Sequence, residues 1–183
     1  MSYSAPKKWY MWPFHFMAKC QSKTIKEQYE KYGVRMFDLR IKFNSKGEAC
    51  FAHGIMEYKA SIDNTLEYLN TLDKVPVRIL LENKAGEYEK EFRKWCKDIK
   101  KKYTNIKFFG GRNKYSWVII YHFKYKGPTY LDKYSSNNKE EGKLTGTYLD
   151  DWCPWLYAIF NNKKNIKEGT NKEFLLLDFV NIK

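Results

Sequence analysis

Hydrophobic and polar positions recur with two different periods along this chain, and the switches between them mark its elements. Over Val34–Phe43 the period is two: Phe37, Leu39 and Ile41 fall on one side, with Met36, Asp38 and Arg40 on the other, which predicts a strand. Asn44–Gly47 has the composition of a turn, and Ala49–His53 predicts a returning strand. The period then lengthens. Ile62, Leu66, Leu69 and Leu72 space as a helical stripe, as do Tyr88, Phe92, Trp95 and Ile99. Between these helices, Val77–Lys84 predicts a strand on which Leu80, Glu82 and Lys84 point one way. Ile106–Phe109, Trp117–Phe123 and Phe174–Val180 are further apolar strands.

Towards the N-terminus, Thr24-x-x-Glu27 has the form of a capping box. Ile25, Tyr29 and Tyr32 then share one face and Gly33 stops the run, so a short helix is expected. Met11–Met17 reads as a short aromatic strand or extended segment ending near His15. Lys124–Leu144 is polar and turn-rich, which predicts a long surface loop, and Asp151–Asn161 predicts a short helix.

Strands alternating with helices predict an α/β architecture with a largely parallel sheet. Asp38 and Arg40, Glu82 and Lys84, and Asp178 each sit at or near the C-terminal end of an apolar strand. A TIM-like barrel gathers its chemistry on that face. At 183 residues the chain is shorter than a regular barrel, for which about 250 residues is typical. It also stops just after the Asp178 strand. The expectation is a single domain over residues 1–183 forming a trimmed or incomplete TIM-like (β/α) barrel.

Composition narrows the possible partners. The chain is 43% hydrophobic and 18% aromatic, which excludes wholesale disorder. Its net charge of +13, from 34 basic and 21 acidic side chains, favours an anionic partner such as nucleic acid, an acidic membrane surface or a phosphorylated substrate. A solvated lysine-rich surface is equally consistent with that number. No nucleic-acid recognition motif is present, so nucleic acid is not the predicted partner. The cysteines at 20, 50, 96 and 153 lack metal-ligand spacing, which points away from zinc and towards reduced thiols. Neither a secretory leader nor an apolar run of bilayer length is visible, so a cytoplasmic or peripheral membrane location is expected.

Only three histidines are available, at 15, 53 and 122. His15 and His53 are read at strand ends flanking the Asp38/Arg40 strand, whereas His122, inside an apolar strand, reads as structural. Two histidines can divide a phosphoryl transfer, one taking the proton of the attacking hydroxyl and one protonating the leaving oxygen. An arginine between them can hold the non-bridging phosphate oxygens, and a neighbouring carboxylate fixes a histidine's tautomer. Asp178, set amid apolar neighbours, needs a partner, because an unpaired buried carboxylate is costly.

Lys23–Arg40 resembles the X-region signature of the phosphatidylinositol phospholipases C, in which a helix "S-I-x-E-Q-L" leads to "G-x-R-x-F-D-I/L-R". Phe51–Gly54 matches the "H-G" that follows on the next strand, and Pro76–Lys84 resembles the strand after that. The resemblance implies that His15 deprotonates the inositol 2-hydroxyl and that His53 protonates the diacylglycerol oxygen. Arg40 matches the arginine that replaces a calcium ion in metal-independent members. Asp178 would orient His15; where Phe16 replaces the acid that supports the second histidine in the bacterial members, Asp38 or Glu82 is the substitute partner for His53. Lys84, with Glu82, Tyr148 and Asp150, would contact the inositol or phosphate. The implied partner is a phospholipid at an anionic membrane surface.

Two features depart from the pattern. Phe16 stands where the family usually has Asp or Asn, and Trp12-Pro13-Phe14-His15 replaces "G-T-H". Asp38 and Glu82 are conceivable calcium ligands, but the fixed charge of Arg40 disfavours a cation there, so no cofactor is expected. Three alternatives stay open: a metal-dependent enzyme for another phosphodiester such as a glycerophosphodiester, a catalytically inactive lipid- or phosphate-binding module, and a nucleic-acid binder. The Trp152–Trp155 cluster reads either as core packing or as a lipid-interface element.

Overall fold

Capped, periodic segments of the sequence become the regular elements of the computed structural model, which describes residues 1–84, 86–110, 130–132, 153–168 and 173–182. In chain order the elements begin with a 3-10 helix, Trp9–Phe14, continued by α1 (His15–Ala18). Then follow α2 (Ile25–Tyr32), β1 (Phe37–Phe43), β2 (Ala49–His53), β3 (Met56–Glu57), α3 (Ile62–Asn70) and β4 (Pro76–Leu81). α4 (Glu89–Lys102), β5 (Lys107–Gly110), β6 (Tyr130–Asp132), α5 (Pro154–Glu168) and β7 (Phe174–Leu176) complete the set. The chain divides into two compact units. One is Arg35–Gly127 with Met1, here the sheet unit; the second comprises Ser2–Val34 and Pro128–Lys183.

The sheet unit carries a five-stranded sheet in the order β3-β2-β1-β4-β5. Its pairing is mixed, which corrects the expectation of a largely parallel sheet: β1 is antiparallel to β2 and β2 to β3, while β1, β4 and β5 run parallel. Connection length is the reason. The four-residue turn at Asn44–Gly47 and the two-residue turn after His53 can only reverse the chain, whereas the α3 and α4 crossovers bring the next strand back parallel. Among the described residues the sheet is open, with β3 and β5 at its edges.

Strict alternation buries Phe37, Leu39, Ile41 and Phe43 of β1, and Val77–Leu81 of β4 is buried throughout. Leu66 and Leu69 of α3 and Phe92, Cys96 and Ile99 of α4 complete this core. Burial pushes the Cys96 thiol well above its ordinary range, so it packs as a small apolar group. Asn83, also buried, extends the pairing beyond the end of β4. Its side chain accepts from the Phe43 N–H at 2.8 Å and donates to the Phe43 carbonyl at 3.0 Å.

In the second unit, α2 begins as its sequence predicts. The Thr24 hydroxyl accepts from the Glu27 N–H, the Glu27 carboxylate accepts from the Thr24 N–H, and Gly33 closes the helix at φ 71°. Four other expectations are corrected. Met11–Met17 is helical rather than extended, and local turns satisfy its backbone. α5 starts at Pro154, not Asp151, because proline suits the first helical turn and restricts the residue before it. β6 forms within Lys124–Leu144, where a loop is predicted, and pairs parallel with β7. β7 itself ends at Leu176, so Asp178 lies beyond the strand rather than on it. The predicted strand Trp117–Phe123, with His122, lies outside the described residues.

Amides decide that last difference. The Gln21 side chain donates to the Leu177 carbonyl at 2.8 Å and accepts from the Val180 N–H at 3.2 Å. Asn162, buried on α5, donates to the carbonyls of Asp178 (2.9 Å), Phe179 (3.3 Å) and Ile182 (2.9 Å). Backbone groups that a longer strand would spend on a ladder are taken by these side chains. The chain is thereby free to turn through Phe179, whose φ is 47°.

Candidate active site

Charged residues on the polar side of β1 and β4 meet in one connected cluster. Parallel register sets Asp38 beside Arg78 and Arg40 beside Leu80. Arg78 grips Asp38 with both ends of its fork: Nε donates to Oδ1 at 2.9 Å and Nη2 to Oδ2 at 2.7 Å. Arg40 Nε reaches the same Oδ2 at 3.4 Å, and its Nη1 donates to Glu82 Oε1 at 2.9 Å. The other Glu82 oxygen accepts from the Gly54 N–H at 3.2 Å. Asp38 lies near the start of β1 and Arg40 at its middle rather than at its end, and Glu82 follows directly after β4.

The two arginines balance the two carboxylates, which is what permits four charges to sit this deep. Burial alone would raise the Asp38 carboxyl. The Arg78 and Arg40 guanidiniums outweigh it and hold the group far below the ordinary carboxylate range. Asp38 therefore stays ionised at any pH at which the protein works. Arg78 is nearly sealed, with 5% of its side chain exposed, whereas Arg40 retains 29%. Arg78 thus fixes the cluster, and Arg40 is the guanidinium an incoming anion can reach.

His53 ends β2, half-buried, and pairs with Met56 across the Gly54–Ile55 turn. Continuing the β1–β2 register sets Ala52 opposite Arg40, with His53 one residue further on, where the strand turns. Gly54 takes φ 58°, a conformation that favours glycine. Its N–H on Glu82 ties this turn to the arginine cluster. Glu82 pairs with Arg40, and Lys84 is exposed. Asp38 and Glu82, the carboxylates considered as calcium ligands, each bond an arginine.

His15 and Asp178 belong to the second unit. The His15 Nε2 lies 3.0 Å from the Ser2 carbonyl, which can only accept, so Nε2 carries the hydrogen and Nδ1 the lone pair. Burial lowers the pKa of His15, the Ser2 carbonyl raises it and Lys19 lowers it; the net shift is downward. At neutral pH the ring is a base. The Ser2 hydroxyl in turn accepts from the N–H groups of Cys20 and Gln21, which fixes the segment behind α1. The carbonyl of Asp178 is held by Asn162. Tyr148, Asp150 and Trp152 lie outside the described residues.

Two residues of this architecture escape a motif reading, Arg78 and Asn83. Arg78 did leave a signal, as a lone arginine in the otherwise apolar run Val77–Leu81, where a buried charge demands a partner. Asn83 left none, since its role depends on how β1 ends.

Together these features define a mixed α/β protein whose sheet carries a neutralised arginine–carboxylate cluster on its polar side. No family model and no curated protein sequence matches the chain. Its fold is similar to that of a solved structure, the phosphatidylinositol-specific phospholipase C from Listeria monocytogenes. The TM-score is 0.59 at 16% sequence identity, over 97% of this chain and 85% of that one.

Proposed function

We propose that this protein is a phosphodiesterase that cleaves phosphatidylinositol or a closely related phospholipid on a trimmed (β/α) barrel scaffold. The observation that carries the reading is Arg40. It is an accessible guanidinium, oriented by two carboxylates and tied through Glu82 to the turn that follows His53. The similarity in fold to a phospholipase C supports it.

In this reading the substrate's own 2-hydroxyl attacks phosphorus, and His15 takes its proton. The bond from phosphorus to the glycerol oxygen breaks, and His53 supplies the proton that oxygen needs. The products are a cyclic inositol phosphate and diacylglycerol. Holding both reacting groups in one molecule removes the need for a serine or cysteine nucleophile. Arg40 binds the non-bridging oxygens, whose charge grows in the transition state. Asp38 positions Arg40 and Asp178 supports His15, while Lys84, Glu82, Tyr148 and Asp150 contact the head group. No step is assigned to a metal.

The test is release of cyclic inositol phosphate from phosphatidylinositol vesicles with a chelator present. His53→Ala should lower turnover roughly 10²–10⁴-fold, the usual contribution of a general acid. Arg40→Lys, which keeps a charge opposite Glu82 but loses the fork, should lower it strongly as well. Full activity in His53→Ala, or no turnover by the wild type, overturns the reading. Activity appearing only when calcium is added would favour a metal-dependent enzyme.

A further inference from the structure

One side of α4, in the sheet unit, carries positive charge and nothing else. Lys90, Lys94, Lys97 and Lys101 fall on one line along the helix, with Arg93 and Lys100 beside it. All six are exposed, and the opposite side of the helix packs Phe92, Cys96 and Ile99 into the core. The carboxylates of α4 lie outside this arc. Glu91 and Asp98 stand to one side of it, and Glu89, in the first turn, accepts from the Gly86 N–H. Among the described residues none of the six cations forms an ion pair. Lys102, outside the arc, does: it lies 3.4 Å from Asp63 and 3.9 Å from Glu67.

Helix stability does not account for this arrangement. Lysines three and four residues apart repel one another. Lys90, Arg93 and Lys94 also stand in the first half of α4, where the helix dipole opposes positive charge. Only Lys100 and Lys101 suit the end they occupy. An anionic partner relieves the repulsion, and the make-up of the arc says which kind. It runs about 16 Å from Lys90 to Lys101 and contains no apolar side chain. A protein partner docks around a desolvated apolar centre, and a bilayer surface takes up helices with apolar side chains beside their lysines. This arc offers neither. A row of phosphates needs only positive charge repeated over several positions.

We infer that the outer face of α4 binds the phosphate backbone of duplex nucleic acid without reading its sequence. Arg93 and the five lysines neutralise successive phosphates and release their counterions, so binding falls steeply as salt rises. The six residues take no part in phospholipid cleavage. The inference therefore does not rest on the phosphodiesterase reading, and binding is measured without turnover.

The experiment is fluorescence anisotropy of a short labelled DNA duplex titrated with the full chain at several salt concentrations. Wild type should bind two unrelated sequences equally. The slope of log K against log salt should lie between about −3.5 and −5.5, the range for about four to six phosphate contacts. Lys94→Gln/Lys97→Gln should weaken binding about tenfold or more at low salt and make the slope shallower by about 2, with an unchanged circular dichroism spectrum. Lys7→Gln/Lys8→Gln, which removes the same charge from exposed positions of the second unit, should bind as the wild type does. Absence of duplex binding by the wild type overturns the inference. Equal losses in the two double variants also overturn it, because net charge alone would then explain the binding. So does displacement of the duplex by polyglutamate as readily as by unlabelled duplex, which would make the partner an acidic protein segment.

Discussion

Both units use buried amides to hold backbone, Asn83 in the sheet unit and Asn162 in the second, but among the described residues only the sheet unit buries a cluster of charges. In the sheet unit, four ionised side chains on neighbouring strands neutralise one another through Arg78–Asp38–Arg40–Glu82. In the second unit, neutral amides and a hydroxyl from Gln21, Asn162 and Ser2 capture irregular backbone. The contrast has a physical basis. Regular strands satisfy their own backbone, so their side chains are free to assemble charge; irregular segments need their side chains to satisfy the main chain first. The second unit's structural effort goes into holding Leu177–Ile182.

Removing a partner from each system sharpens that contrast. The largest effect should come from Arg78→Met, which leaves Asp38 buried with its main partner gone. A loss of about 3–5 kcal/mol is expected in urea unfolding. The same ion pairs set the acid limb of stability. The folded-state pKa of Asp38 is depressed, so its contribution is complete above the unfolded value and fades as pH falls below about 4 towards the folded value. Asp38→Asn should flatten that limb.

Next, Asn162→Leu should cost about 2–4 kcal/mol, because carbonyls at 178 and 182 lose their donor. Amide exchange should accelerate around Leu177–Ile182 more than in β1. Equal acceleration in both would mean that the amide clamp supports the whole molecule rather than its own segment. The smallest effect, about 1 kcal/mol, is expected for Thr24→Ala at the start of α2.

Local rules made much of the fold legible. The capping box at Thr24–Glu27, the alternation over Phe37–Phe43 and the stripes of α3 and α4 each follow from interactions within a few residues. The sequence also singled out Asp38, Arg40, Glu82 and His53, and the structure brings the first three into one cluster with the turn after His53. It did not reveal that Arg78 completes this cluster, that Glu82 answers Arg40, or that Met11–Met17 is helical.

Sequence by itself determined where most helices and strands lie, because periodicity and caps act over one or two turns of chain. Only the tertiary structure decided the register between strands, the partner of each charge and the end of β7. Those depend on which strands lie side by side and on amides such as Asn162, which meet their carbonyls only after the chain has folded back.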